Sequence, residues 1–154
     1  MLMPDPEAAL RDTRRVLKPG ARVALAAWTA PDDNPWAVLP VRELIARGHV
    51  EPVPPGPGQF YWAPPGAIVE NLEAAGFVEH EVEAIDFTMR FDSLGEWWDV
   101  QKDMSLRVLD AVAGMTPAEE QELLAGLTER VAPHTGEGGE LTLPARTWVA
   151  AATA

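Results

Sequence analysis

Hydrophobic positions along the chain change period several times, and each change marks an element. Leu10, Thr13 and Leu17, flanked by Ala9 and Val16, recur at helical spacing after Asp5-Pro6, a capping residue followed by proline at the first helical position. The helix predicted there stops at Lys18-Pro19-Gly20, with Arg14, Arg15 and Lys18 near the negative end of its dipole. Arg22 to Trp28 is an almost unbroken apolar run between turn signals, the pattern of a strand buried on both faces of a parallel sheet. Asn34-Pro35 repeats the cap-plus-proline start, and Trp36, Val38, Leu39, Val41, Leu44 and Ile45 predict a second helix that ends at Gly48 and bends at Pro40. A third helix runs from Ala67 through Ile68, Leu72 and Ala75 to Gly76.

The period then shortens to two. Val78 to Phe91 alternates through Val82, Ile85 or Ala84, Phe87, Met89 and Phe91, with a slip near Ala84 to Asp86 that reads as a bulge. Two capping boxes follow. Asp92-Ser93-x-x-Glu96 opens a helix carrying Trp97, Val100, Met104 and Val108, and Thr116-Pro117-x-Glu119 opens another carrying Leu123, Leu124, Leu127 and Val131, which together make a helical hairpin. After a Gly-rich turn from Thr135 to Glu140, Leu141 to Ala152 forms a closing strand around Trp148. No internal repeat is present. Helices alternating with strands predict an α/β fold, and 154 residues predict a single domain, 1–154.

Composition narrows the chemistry. Twelve Lys and Arg against 24 Asp and Glu give a net charge of -12, which disfavours nucleic acid and anionic membrane surfaces as partners. Seven basic and six acidic groups in residues 1–48 leave that stretch at +1, so the remainder carries -13. With no Cys, thiolate metal sites and cysteine nucleophiles are excluded. His49, His80 and His134 are far apart and lack a paired carboxylate pattern, so no metal site is expected; Ser93 and Ser105 have no base motif, and no catalytic residue is assigned. Pro4, Asp5, Pro6 and Glu7 occupy positions where a signal peptide needs basic and then apolar residues, so a cytoplasmic location is expected.

The aromatic residues remain. Between Glu51 and Gly66, six of sixteen residues are proline, and Phe60-Tyr61-Trp62 sit within this stretch, a candidate lid. Trp28 ends the first strand, Trp36 opens the second helix and Trp97 opens the hairpin. Core packing is the ordinary use of such residues. Trp28, Trp36, Tyr61, Trp62 and Trp97 are also the candidates for binding a small apolar molecule, because ligands of open α/β sheets sit beyond the carboxyl ends of the strands. Trp36, Tyr61 and Trp62, beside proline-rich segments, are expected to be more exposed than Trp28 and Trp148 within strands.

The run Pro4-Asp-Pro-Glu-Ala-Ala-Leu10, continuing through Arg15-Val-Leu-Lys-Pro-Gly-Ala-Arg-Val-Ala-Leu-Ala-Ala-Trp28, resembles the segment of class I S-adenosylmethionine-dependent methyltransferases in which a helix ending in R-V-L-K/R-P-G-G leads into strand five. Leu72-Glu-Ala-Ala-Gly-Phe77 is similar to the joint before strand six of those enzymes. Arg90-Phe-Asp-Ser-x-x-Glu-Trp97 and Leu143-Pro-Ala-Arg146 are similar to the small-molecule branch. The resemblance implies the C-terminal half of a Rossmann-like methyltransferase domain: strands corresponding to the fifth, sixth and seventh, flanking helices and a helical hairpin, with the last strand antiparallel and inserted between the fifth and sixth.

It further implies a transferase whose cofactor is S-adenosylmethionine in the parent family. The family's glycine-rich loop, ribose-binding acid and strand four would lie before Met1, so no cofactor-binding residue is assigned and no cofactor is expected for this chain alone. The chain then supplies the substrate-side half and is inactive alone. The alternative is a non-enzymatic, self-associating module whose aromatics hold an apolar ligand or partner. Strand Arg22 to Trp28 would lack its strand-four neighbour, and it has no proline and a single charge, so a homodimer through this edge is expected.

Overall fold

The computed structural model describes residues 2–52, 54 and 56–154; Met1, and Val53 and Pro55 of the proline-rich stretch, lie outside them. Nine main elements follow in order: α1 (Pro6–Val16), β1 (Arg22–Trp28), α2 (Pro35–Ala46), α3 (Ala67–Ala74), β2 (Val78–Phe91), α4 (Leu94–Met104), α5 (Leu106–Ala113), α6 (Pro117–Val131) and β3 (Leu141–Thr153). Local chemistry sets most of their ends. Asp5 accepts from the Ala8 N–H at 2.8 Å to cap α1, and Thr116 and Glu119 form a reciprocal capping box at α6. The helix expected from Asp92 to Val108 is instead two. Ser105 adopts an extended backbone between α4 and α5, and its hydroxyl accepts from the Val108 N–H, so one residue ends the first helix and caps the second.

The three strands form one sheet in the order β1-β3-β2. β1 and β3 are antiparallel, with Arg22 opposite Thr153 and Trp28 opposite Thr147. β2 also runs against β3: Glu79 meets Thr153 at one end (2.9 Å) and Asp86 meets Arg146 at the other (3.4 Å). The last strand therefore lies between the other two and is reversed, as the resemblance implied. The expectation that β1 is buried on both faces is corrected. Val23, Leu25 and Ala27 turn inward while Arg22, Ala24 and Ala26 are exposed, because helices cover one face of the sheet here.

Cα packing divides the chain into two compact units, Met1–Asp33 with Pro55–Asp86 and Arg146–Ala154, and Asn34–Pro54 with Phe87–Ala145. The core of the first joins Leu10 of α1, Ala27 of β1, Trp62, Ile68 and Leu72 of α3, Phe77, and Ala150 and Ala152 of β3. In the second, Trp36, Leu44, Trp97, Val108, Leu123, Leu127, Val131, Leu141 and Leu143 are almost fully buried. β3 passes from the second unit into the first at Arg146, and its buried set changes parity there, from 141, 143 and 145 to 150 and 152. β2 changes its apolar parity in the same way, from Val78, Val82 and Ala84 to Ile85, Phe87, Met89 and Phe91. It does so beside the unit boundary at Asp86 within an unbroken strand. Of these side chains only Phe91 is buried, Val78, Val82, Ile85 and Phe87 being exposed, so most of the alternation in β2 does not mark a core face. Among the described residues no helix is long and apolar enough to cross a membrane.

Candidate functional site

From Gly58 to Ala67 the chain folds as consecutive tight turns, with Tyr61 N–H donating to Gly58 O, Ala63 N–H to Phe60 O and Ala67 N–H to Pro64 O, each at 3.1 Å. Trp148 on β3 donates its Nε1–H to Ala63 O (3.1 Å), and Trp62 is buried in the core of the first unit. Tyr61 packs against that core, its ring 6.5 Å from that of Trp62 and tilted by 44°. The aromatics expected to form a lid are thereby pinned down by a side-chain hydrogen bond and by apolar burial. A cavity of about 70 Å³ lies beside them, lined by Pro64–Gly66, Ile68, Val69, Val82 and Trp148.

That cavity is small against the ~300–1,000 Å³ of ordinary ligand sites. Its lining is proline, glycine, aliphatic and one indole, with no carboxylate for a ribose diol. It does not fit S-adenosylmethionine.

In the second unit Asn34 occupies the N-cap position of α2, buried and without capping the helix through its side chain, and Trp36 follows on the first turn. Trp97 of α4, fully buried, donates its Nε1–H to Trp36 O at 2.9 Å. Further along the same face of α4, Trp98 and Gln101 are three residues apart and buried. Neither Trp98 Nε1 nor Gln101 Nε2 has an acceptor among the described residues. Lys102 Nζ lies 6.0 Å from the Trp98 ring centroid and pairs with Asp99 at 2.8 Å.

Of the five sequence-predicted residues, Trp28, Tyr61 and Trp62 belong to the first unit and Trp36 and Trp97 to the second; the structure joins Trp36 directly to Trp97, and Tyr61 to Trp62. The expected ranking of exposure is reversed for two of them. Trp36 and Trp62 are buried, whereas Trp28 and Trp148 are only half-buried. Proximity to proline governs backbone shape, whereas the large apolar area of these side chains draws each into the core of its own unit.

Sequence reasoning missed one cluster. Glu43, on α2 and 5% exposed, accepts from Arg47 Nε at 2.8 Å and from Arg130 Nε of α6. Burial pushes its pKa up, but the hydrogen bonds and charges of Arg130 and Arg47 outweigh this and hold the carboxyl below its usual range. It stays ionised and bound, which makes it a clamp between α2 and α6 rather than a general base. Gly126 of α6 permits the approach, since a Cβ there would strike Glu43 Oε1 and lie 2.6 Å from Arg47 Nη2. The Glu43-x-x-x-Arg47 spacing was visible as a helical ion pair; Arg130, 87 residues away, gave no signal.

Among the described residues no cluster of three or more His, Asp or Glu side chains could hold a metal. No protein-family model matches the chain. The chain is 30% identical over 107 residues to the 2-methyl-6-phytyl-1,4-hydroquinone methyltransferase of Synechocystis, an alignment that takes in 63% of this chain and 29% of the relative. The methyltransferase resemblance read from the residues therefore stands, and the chain spans less than a third of the length of the curated relative it matches. Two solved structures are also similar. A Bacillus halodurans C-125 protein provisionally classed as a methyltransferase is 18% identical at a TM-score of 0.47, covering 98% of this chain and 63% of that one. A Haemonchus contortus phosphoethanolamine N-methyltransferase is 14% identical at a TM-score of 0.40, covering 99% and 31%. At such scores these likenesses carry no further argument.

Proposed function

We propose that residues 1–154 act as the substrate-side half of an S-adenosylmethionine-dependent methyltransferase for a small, largely apolar acceptor. The observation that carries this reading is the 107-residue match to an enzyme named for a prenylated hydroquinone. S-adenosylmethionine would supply the methyl group as an electrophile on a sulfonium. This chain's contribution is to hold the acceptor with indole and phenol side chains, for which Trp28, Trp36, Tyr61, Trp62 and Trp97 remain the candidates. The strand order β1-β3-β2, with a reversed closing strand, supports the same reading.

On this reading the chain alone has no turnover, because positioning of donor against acceptor is most of what such an enzyme provides and the cavity beside Trp148 does not fit the donor. Calorimetric titration with S-adenosylmethionine is expected to give no binding heat, while an alkylated hydroquinone quenches tryptophan emission in a saturable way. Heat-sensitive turnover of labelled S-adenosylmethionine by the purified chain would overturn the inactivity. Unsaturable quenching, unchanged when Trp28 and Trp62 are replaced one at a time by Phe, would overturn the acceptor-binding role.

A further inference from the structure

We propose that the cavity beside Trp148 binds the branched end of a short aliphatic chain, about three or four carbons, on an uncharged small molecule. The inference does not rest on the methyltransferase reading. The cavity's walls come from the turn before α3, the first turn of α3, β2 and β3, all in the first unit and none from the edge strand β1.

These walls are set before any ligand arrives. Trp148 Nε1–H is committed to Ala63 O at 3.1 Å, which stands the indole against the turn as one wall. Pro64 and Pro65 have fixed φ and no N–H to offer, and Pro64 O already accepts from the Ala67 N–H at 3.1 Å. Ile68 is buried and Val69 and Trp148 are half-buried, whereas Pro64, Pro65 and Val82 are exposed, so an apolar floor lies beneath an open rim. No lining side chain carries a charge. An ordered water needs about two to four polar partners, so such walls favour carbon over water.

Volume decides which carbon group enters. At about 70 Å³ the cavity is near half of the ~150 Å³ that accommodates benzene, so an aromatic ring stays out. A branched group packs its carbons side by side within this space, where a straight chain of the same carbon count leaves part of itself in water. Charge is selected as well. The Glu70 carboxylate lies by the rim, 3.7 Å from where a Cβ on Gly66 would stand, and the whole chain carries -12, so an anionic ligand is disfavoured.

Methyl NMR spectra of Ile68, Val69 and Val82, recorded during titration with small alcohols, test the proposal. Saturable shifts confined to these methyls are expected, with affinity rising about fourfold per carbon from propan-1-ol through 2-methylpropan-1-ol to 3-methylbutan-1-ol. Butan-1-ol should bind more weakly than 2-methylpropan-1-ol, 3-methylbutanoate more weakly than 3-methylbutan-1-ol, and benzyl alcohol not at all. Val82→Phe, at an exposed position, narrows the rim and should weaken 3-methylbutan-1-ol at least about tenfold. Val69→Ala widens the cavity and should admit benzyl alcohol, with circular dichroism confirming that both variants fold. Shifts that never saturate would overturn the proposal. So would benzyl alcohol binding the unmodified chain as tightly as 3-methylbutan-1-ol, equal affinity for the two butanols, or unchanged selectivity in a folded Val82→Phe or Val69→Ala chain.

Discussion

Replacing Gly126 by alanine adds one methyl group to the middle of α6, where helix propensity alone favours alanine by about 1 kcal/mol. The structure reverses the sign. The new Cβ would overlap Glu43 Oε1, lie 2.9 Å from Glu43 Cδ and lie 2.6 Å from Arg47 Nη2, so the carboxylate has to retreat. An exposed glutamate would do this freely, but Glu43 is buried and holds Arg47 and Arg130 together. Overpacking of this kind costs ~1–3 kcal/mol, and loosening a buried charge from its partners adds to it. The two arginines are 29% and 41% exposed, so water softens the second contribution.

The net expectation is a loss of about 1–3 kcal/mol. Urea titration followed by tryptophan emission measures it as a lower midpoint at unchanged slope. A control separates the clash from any general effect of alanine. In a Glu43→Ala background the obstructing carboxylate is gone, and the same Gly126→Ala change should become neutral or stabilising by up to about 1 kcal/mol. Equal effects of Gly126→Ala in the two backgrounds, or a stabilised single variant, would refute the reasoning.

Three further outcomes are expected. Because Glu43 has a lower pKa folded than its ordinary value near 4.5, the unfolded chain binds more protons in that range. The stability it contributes is present above pH 4.5 and is lost as pH falls through the folded value. Glu43→Gln should therefore flatten this part of the acid unfolding profile, and an unchanged slope would count against the clamp. Ser93→Ala removes the cap that accepts from the Glu96 N–H at 3.1 Å and should cost about 1 kcal/mol in the same titration; no change would show that the cap is dispensable. Gln101→Leu removes a buried donor that has no acceptor among the described residues, so stability should hold or rise, and a loss above about 1 kcal/mol would mean that Gln101 is satisfied in solution.

What the sequence determined by itself was mostly local. The Asp5, Ser93 and Thr116 caps, the glycine stop at Gly76 and the periods of three to four and of two act over a few residues, so α1, α3, β2, α6 and β3 could be located without a fold. The resemblance carried by Arg15 to Trp28 and Leu72 to Phe77 added the order of the strands and the reversed direction of the last. Tertiary structure decided the rest because it depends on what comes to lie alongside. Only packing fixed the one-sided burial of β1, the parity change in β3 where it enters a different core, and the inward turn of Trp36 and Trp62. Only the meeting of α2 with α6 brought Arg130 to Glu43 and made Gly126 indispensable to the contact, since a lone glycine in a helix and an arginine 87 residues from its partner leave no periodic trace.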